Sequence, residues 1–227
     1  MKVLCFGYRE WGQKIFRNIS RDFKILNDLK DSEIIVAPQD ARKDIKEFTN
    51  EVNPDVILFC GWSWMIPPEI TNNYLCIGLH PSPLPKYKGG SPIQNQIQNG
   101  EKVSAVSLFQ ITEELDGGDI LFQKEIPLDG FIDDIFERIV NIGSCGIILT
   151  LLKIKRGESL HRVEQAGGTL YKRLKNNSEI TMEDLQNMSA VELYNKIRML
   201  SGFYPNTYIT CADGVKLYIE RARLENK

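Results

Sequence analysis

The chain has 227 residues, 42% hydrophobic and 26% charged, with a formal net charge of -2. That length supports one large domain, or one domain with a small appendage, and a core that needs no disulfide or structural metal. The near-neutral balance gives no global field for nucleic acid or an anionic membrane. Cys5, Cys60, Cys76, Cys145 and Cys211 are scattered and form no Cys-x-x-Cys pair. They read as reduced thiols of a reducing compartment. A strand-like run begins at Lys2, and no apolar run reads as a signal peptide or a membrane span, so a cytoplasmic location is expected.

Lys2–Phe6 reads as a buried strand ending at Gly7, and Trp11–Ser20 carries Trp11, Ile15, Phe16 and Ile19 at helical spacing. Ser32–Ala37 is a second strand, Asp40–Val52 a helix, and Val56–Gly61 a third strand after the turn Asn53-Pro54-Asp55. Tyr74–Leu79 is a fourth strand, and Pro92–Asn99 a helix with proline in its first turn. Val103–Ile111 and Ile120–Ile126 form an expected antiparallel pair. Asp133–Ile154 is a long amphipathic helix in which Gly143 and Gly146 imply close packing. The alternation predicts an α/β fold: an open, mostly parallel, Rossmann-like sheet with helices on both faces. Polar residues 157–168 mark a boundary, giving a body of 1–156 and a small α+β appendage of 157–227. In that appendage come Tyr171–Leu174, a polar turn, a helix over Ala190–Leu200, and a hairpin of Asn206–Cys211 and Lys216–Ala222 about Asp213-Gly214.

Two loops carry the chemistry. His80, one of two histidines, ends an apolar strand and opens the loop His80–Ser91; ligand sites in open α/β sheets lie at such strand ends. Its imidazole can take a proton near neutral pH. The turn Leu115-Asp116-Gly117-Gly118-Asp119 offers two carboxylates, and sequence does not choose between Asp116 and Asp119. His161 lies in polar surroundings and reads as a bystander. No metal-ligand spacing appears. Phe6-Gly7 to Gly12 follows a strand but lacks the Gly-x-Gly-x-x-Gly dinucleotide pattern. Trp62 and Trp64, in Cys60–Pro68, offer flat apolar surface for a planar ligand. Lys86 and Lys88 flank Tyr87 and could neutralise a phosphate.

At these residues the chain resembles the 10-formyltetrahydrofolate-dependent formyltransferases, and most of all the sugar N-formyltransferases. The family pattern Asn-x-His-x-Ser-x-Leu-Pro-x-Tyr-Arg-Gly reads here Gly78-Leu79-His80-Pro81-Ser82-Pro83-Leu84-Pro85-Lys86-Tyr87-Lys88-Gly89. Leu115-Asp116-Gly117-Gly118, Pro92-Ile93-Gln94 and Asn99-Gly100-Glu101 also fit. The resemblance runs from Met1 to about Leu152 and more loosely over Tyr171–Leu224. It implies His80 as the proton-transfer base and Asp116 as the carboxylate that orients it. It implies folate contacts at Trp62, Trp64, Met65, Ile66, Ile111, Leu115 and Asp116. Acceptor contacts are expected at Lys86, Tyr87, Lys88, Gly89 and Gln94.

The resemblance implies 10-formyltetrahydrofolate as co-substrate, no metal, and transfer to the amine of a nucleotide-linked amino deoxysugar for surface polysaccharide. The short, mixed-charge tail lacks the basic surface that nucleic acid needs. The hairpin offers an edge for a homodimer. The alternatives are a formyltransferase for methionyl-tRNA or an amino acid derivative, and a folate-binding homologue with impaired catalysis. The last rests on Gly78, which stands where the family has the asparagine that polarises the formyl carbonyl. Loss of one such donor typically costs about two to three orders of magnitude in rate. The His80 imidazolium or Asn95 is the expected substitute.

Overall fold

The computed structural model describes residues 1–174, 178–202 and 204–225. Strands β1 (Lys2–Phe6), β2 (Glu33–Val36), β3 (Val56–Cys60) and β4 (Leu75–His80) run parallel, linked by helices α1 (Glu10–Ile25), α2 (Ile45–Val52) and α3 (Pro68–Thr71). A two-residue strand β5 (Lys88–Gly89) and helix α4 (Pro92–Gln98) follow. Strands β6 (Val103–Gln110) and β7 (Ile120–Pro127) then join the sheet antiparallel, and α5 (Ile132–Lys155) crosses its face. The order is β2-β1-β3-β4-β6-β7. This is the mostly parallel α/β architecture the apolar runs predict.

Alternation along the central strands divides the core. Val3, Cys5, Leu58, Ile77 and Leu79 face α1 and α5, while Leu4, Phe6, Ile57, Phe59 and Cys76 pack towards α2 and α3. Gly143 and Gly146 allow α5 to lie on the sheet: a Cβ at Gly143 would stand 2.6 Å from Leu79 Cδ1, and one at Gly146 2.7 Å from the Phe122 ring. Contrary to the expectation that no run has spanning length, α5 is long and apolar enough to cross a bilayer. Its apolar stretch is 61% buried within the protein, and packing on the sheet accounts for it.

The appendage contains β8 (Leu170–Tyr171), α6 (Met182–Asn187), α7 (Ala190–Arg198) and the hairpin β9 (Thr207–Thr210) with β10 (Lys216–Ile219). Thr181 and Ser189 cap α6 and α7 through reciprocal bonds with Asp184 and Glu192. The polar turn expected after Leu174 lies outside the described residues. Residues 157–168 do not simply leave the body. Val163 bridges to Ile120, and β8 pairs in parallel with β5 beside His80's loop.

Candidate active site

His80 is the last residue of β4 and is 7% exposed. Its Nε2 lies 2.8 Å from the Tyr87 carbonyl oxygen. A carbonyl only accepts, so Nε2 carries the proton and Nδ1 is left for exchange. Nδ1 lies 3.6 Å from Asp116 Oδ2. That is beyond a direct hydrogen bond but close enough for an ion pair once the ring is protonated. The same Oδ2 accepts from the Gly89 backbone N–H at 2.8 Å. Asp116 has a left-handed backbone, φ 49°, which turns its carboxylate into the site. Asp119 instead faces Arg162 at 3.5 Å. Geometry therefore separates two carboxylates that sequence left equivalent.

These groups line a cavity of ≈ 830 Å³ at the carboxyl ends of the strands. One wall is Phe59, Trp62, Ile66 and Ile111, backed by aromatic contacts: Trp62 meets Phe6 at 5.7 Å and Trp64 at 4.9 Å between ring centres. Trp64, Met65, Leu115, Gly89 and Gln94 also line it. Lys86, Tyr87 and Lys88 do not. Lys86 is exposed, Tyr87 is buried with its hydroxyl donating to Glu101, and Lys88 Nζ pairs with Glu114 at 3.1 Å. His161 is exposed and lies away from the cavity.

Gly78 is register partner to Phe109. A Cβ at 78 would stand 2.7 Å from Phe109 Cε1 and 3.1 Å from Ile111 Cγ1. The ring fills the space a side chain there would need. Asn95, one expected substitute, already donates to the carbonyls of Gly90 (2.8 Å) and Lys172 (3.4 Å). Among the described lining residues, two buried donors have no hydrogen-bond partner: Trp62 Nε1 and Gln94 Nε2.

The buried cysteines stay neutral. Burial pushes the Cys5 and Cys60 thiols far up and that of Cys76 up to about 12. None is a thiolate nucleophile at neutral pH.

Residues sequence reasoning passed over also reach the cavity. Tyr8, Arg9 and Trp11 come from the β1–α1 junction, and Lys172, Arg173 and Tyr204 from the appendage. Arg173 donates to Ser63 Oγ at 2.9 Å, as Tyr8 shares a hydrogen with the same oxygen. The β-branched and aromatic run Thr169-Leu170-Tyr171 after Gly167-Gly168 was the available signal for a strand docking there.

A mostly parallel sheet with a histidine–carboxylate pair at its strand ends, inside an aromatic cleft, makes an α/β fold whose site can move a proton. A family model described as formyl transferase matches residues 17–141, and the chain belongs to that family. It is 36% identical over 128 residues to methionyl-tRNA formyltransferase of Thermotoga neapolitana, covering 55% of this chain and 41% of that protein. The chain spans about half the length of the first curated relatives it matches, 41% and 51% for two Thermotoga proteins.

Among solved structures, methionyl-tRNA formyltransferase from Clostridium thermocellum is 29% identical with a TM-score of 0.80, covering 99% of this chain and 94% of that one. A sugar N-formyltransferase from Shewanella shares the fold at 18% identity and a TM-score of 0.70, covering 100% and 99%. HypX from Aquifex aeolicus, solved with tetrahydrofolic acid, shares it at 18% and 0.77, covering 97% and 37%.

Proposed function

We propose that this chain transfers a formyl group from 10-formyltetrahydrofolate to the primary amine of a nucleotide-linked amino deoxysugar. The observation that carries the transfer chemistry is the His80 Nδ1–Asp116 Oδ2 pair at 3.6 Å on the cavity floor. The folate supplies the formyl group when bound. The aromatic wall about Trp62 suits its flat pterin. His80 Nδ1 takes the proton that the amine sheds as its nitrogen bonds to the formyl carbon, and returns it to the leaving folate nitrogen as the formyl C–N bond to the folate breaks. The Nε2–H bond to the Tyr87 carbonyl holds the ring in place, and Asp116 stabilises the imidazolium. The amine attacks only when neutral, so the rate rises as pH deprotonates it.

The mixed-charge tail, without the basic surface that nucleic acid needs, supports the sugar acceptor. A second reading, transfer to methionyl-tRNA, is favoured by the 36% and 29% identities to such enzymes. Assay of formyl transfer to nucleotide-linked amino sugars and to charged initiator tRNA separates the two. Turnover on a sugar and none on tRNA supports the first, and the reverse replaces it. On the working acceptor, His80→Asn and Asp116→Asn should each lower kcat by about 10²–10⁴-fold. Asp119→Asn should stay within a few-fold of the parent. An Asp116→Asn variant at full activity removes the proposed pair.

A further inference from the structure

His80 and Asp116 are both held by one short segment. The Tyr87 carbonyl oxygen accepts from His80 Nε2, and the Gly89 N–H donates to Asp116 Oδ2, each at 2.8 Å. The seat of residues 87–89 therefore sets both halves of the pair. Tyr87 has a φ of 61°, a left-handed backbone that a bulky residue keeps only when its surroundings fix it.

The Tyr87 side chain is buried but lies outside the cavity. Its hydroxyl donates to Glu101 Oε1 at 2.8 Å and accepts from Asn99 Nδ2 at 3.2 Å. The same Asn99 amide donates to the Tyr171 hydroxyl at 3.0 Å, and the two tyrosine rings stack at 4.9 Å and 14°. Burial raises the Tyr87 pKa above its ordinary 10, so the hydroxyl stays a donor at working pH. A hydrogen bond to an ionised acceptor is roughly twice as strong as a neutral one. Glu101 follows α4, and its own N–H donates to Gln96 O at 3.0 Å, so the acceptor is carried on a helix end.

We propose that Glu101 is a positioning residue for the proton transfer: through the Tyr87 hydroxyl it keeps the Tyr87 carbonyl on His80 Nε2 and leaves Nδ1 as the free base. The proposal rests on the proton-transfer reading above. Glu101 does not line the cavity and acts only through Tyr87. Thr169 Oγ1 grips the Tyr87 backbone N–H at 2.8 Å, and Glu101 grips the far end of the same side chain. A residue held at its backbone and at its tip cannot relax from a strained φ without breaking one grip.

The test reads the His80 ring directly, by NMR of the full chain. The sequence has two histidines, and the exposed His161 is the unprotected reference. In the parent the His80 Nε2–H should exchange slowly with solvent. Glu101→Ala and Tyr87→Phe should each speed that exchange at least about 10-fold. Each should also lower kcat about 10-fold, with the folate KM unchanged. Glu101→Gln keeps an acceptor and should match the parent in both. Protection of the β3 and β4 amides should not change, which separates a lost clamp from a loosened fold. Equal exchange in Glu101→Ala and the parent overturns the proposal, as does Glu101→Gln exchanging as fast as Glu101→Ala. An unprotected Nε2–H in the parent, or faster exchange with kcat unchanged on the working acceptor, also overturns it while the transfer reading stands. Exchange that depends on Glu101 in a chain that formylates no amine upholds the hold on His80 and defeats the transfer reading.

Discussion

Gly78 and Phe109 face each other across β4 and β6, and the ring's position forbids a side chain opposite it. The two positions are therefore coupled: a glycine at 78 and a large ring at 109 are one packing solution. Gly78→Asn alone should cost about 1–3 kcal/mol as an overpacked core site. Phe109→Ala alone should cost about 3–5 kcal/mol as a cavity. The double variant should be more stable than the sum predicts, by about 1–2 kcal/mol. Urea midpoints of the four proteins check this, and strict additivity would sever the coupling. The sequence exposed the departure at Gly78 but not its cause. Phe109 lies on a different strand, and only the antiparallel register brings it opposite. The pairing of His80 with Asp116 was legible from motif resemblance, yet the choice against Asp119 needed the left-handed turn at Asp116.

At the scale of elements, the segment expected to be a linker is a strap over both site loops. Gln165 Nε2 donates to the carbonyls of Asp116 (2.9 Å) and Gly118 (2.6 Å). Thr169 accepts from the Tyr87 N–H through its hydroxyl and from the Lys88 N–H through its carbonyl, each at 2.8 Å. Asp116, Tyr87 and Ser91 all have positive φ, a backbone state that non-glycine residues hold only when neighbours fix it. The strap supplies that fixing at Asp116 and Tyr87. Gln165→Ala should lower kcat by about 10-fold through misplacement of Asp116. Its unfolding free energy should fall by only about 1 kcal/mol, the worth of a typical hydrogen bond. Paired kinetics and urea unfolding measure both, and equal kcat would show that the loop holds its shape unaided. The main strands and long helices were legible because apolar runs of strand or helix period mark them. The strap, α3 and α6 were not: they are short and mostly exposed, and tertiary partners rather than periodicity define them.

For the molecule as a whole, the question is what holds the appendage to the body, and two basic residues of α7, Lys196 and Arg198, are buried. Arg198 Nη1 donates to the carbonyls of Leu128 (2.6 Å) and Gly130 (3.0 Å), on the body side. Burial lowers its pKa, and no carboxylate is within ion-pair distance among the described residues. Arg198→Met strands both carbonyls and should cost roughly 3 kcal/mol. Lys196 works within the appendage. Its Nζ donates to Glu179 O (2.7 Å) and Asp184 Oδ2 (2.8 Å). That bond, then the Thr181 backbone N–H, holds the Asp184 carboxyl below its ordinary value of 3.8. A carboxyl depressed on folding stabilises the native state above the unfolded pKa, and that contribution is lost as pH falls through the folded one. Lys196→Met should therefore destabilise by about 1–3 kcal/mol at pH near 7. The gap from the parent should narrow below the ordinary carboxylate value, where Asp184 protonates in both proteins. Urea midpoints taken at neutral pH and near pH 3 decide it. A gap that stays constant would mean that Lys196 acts through Glu179 alone.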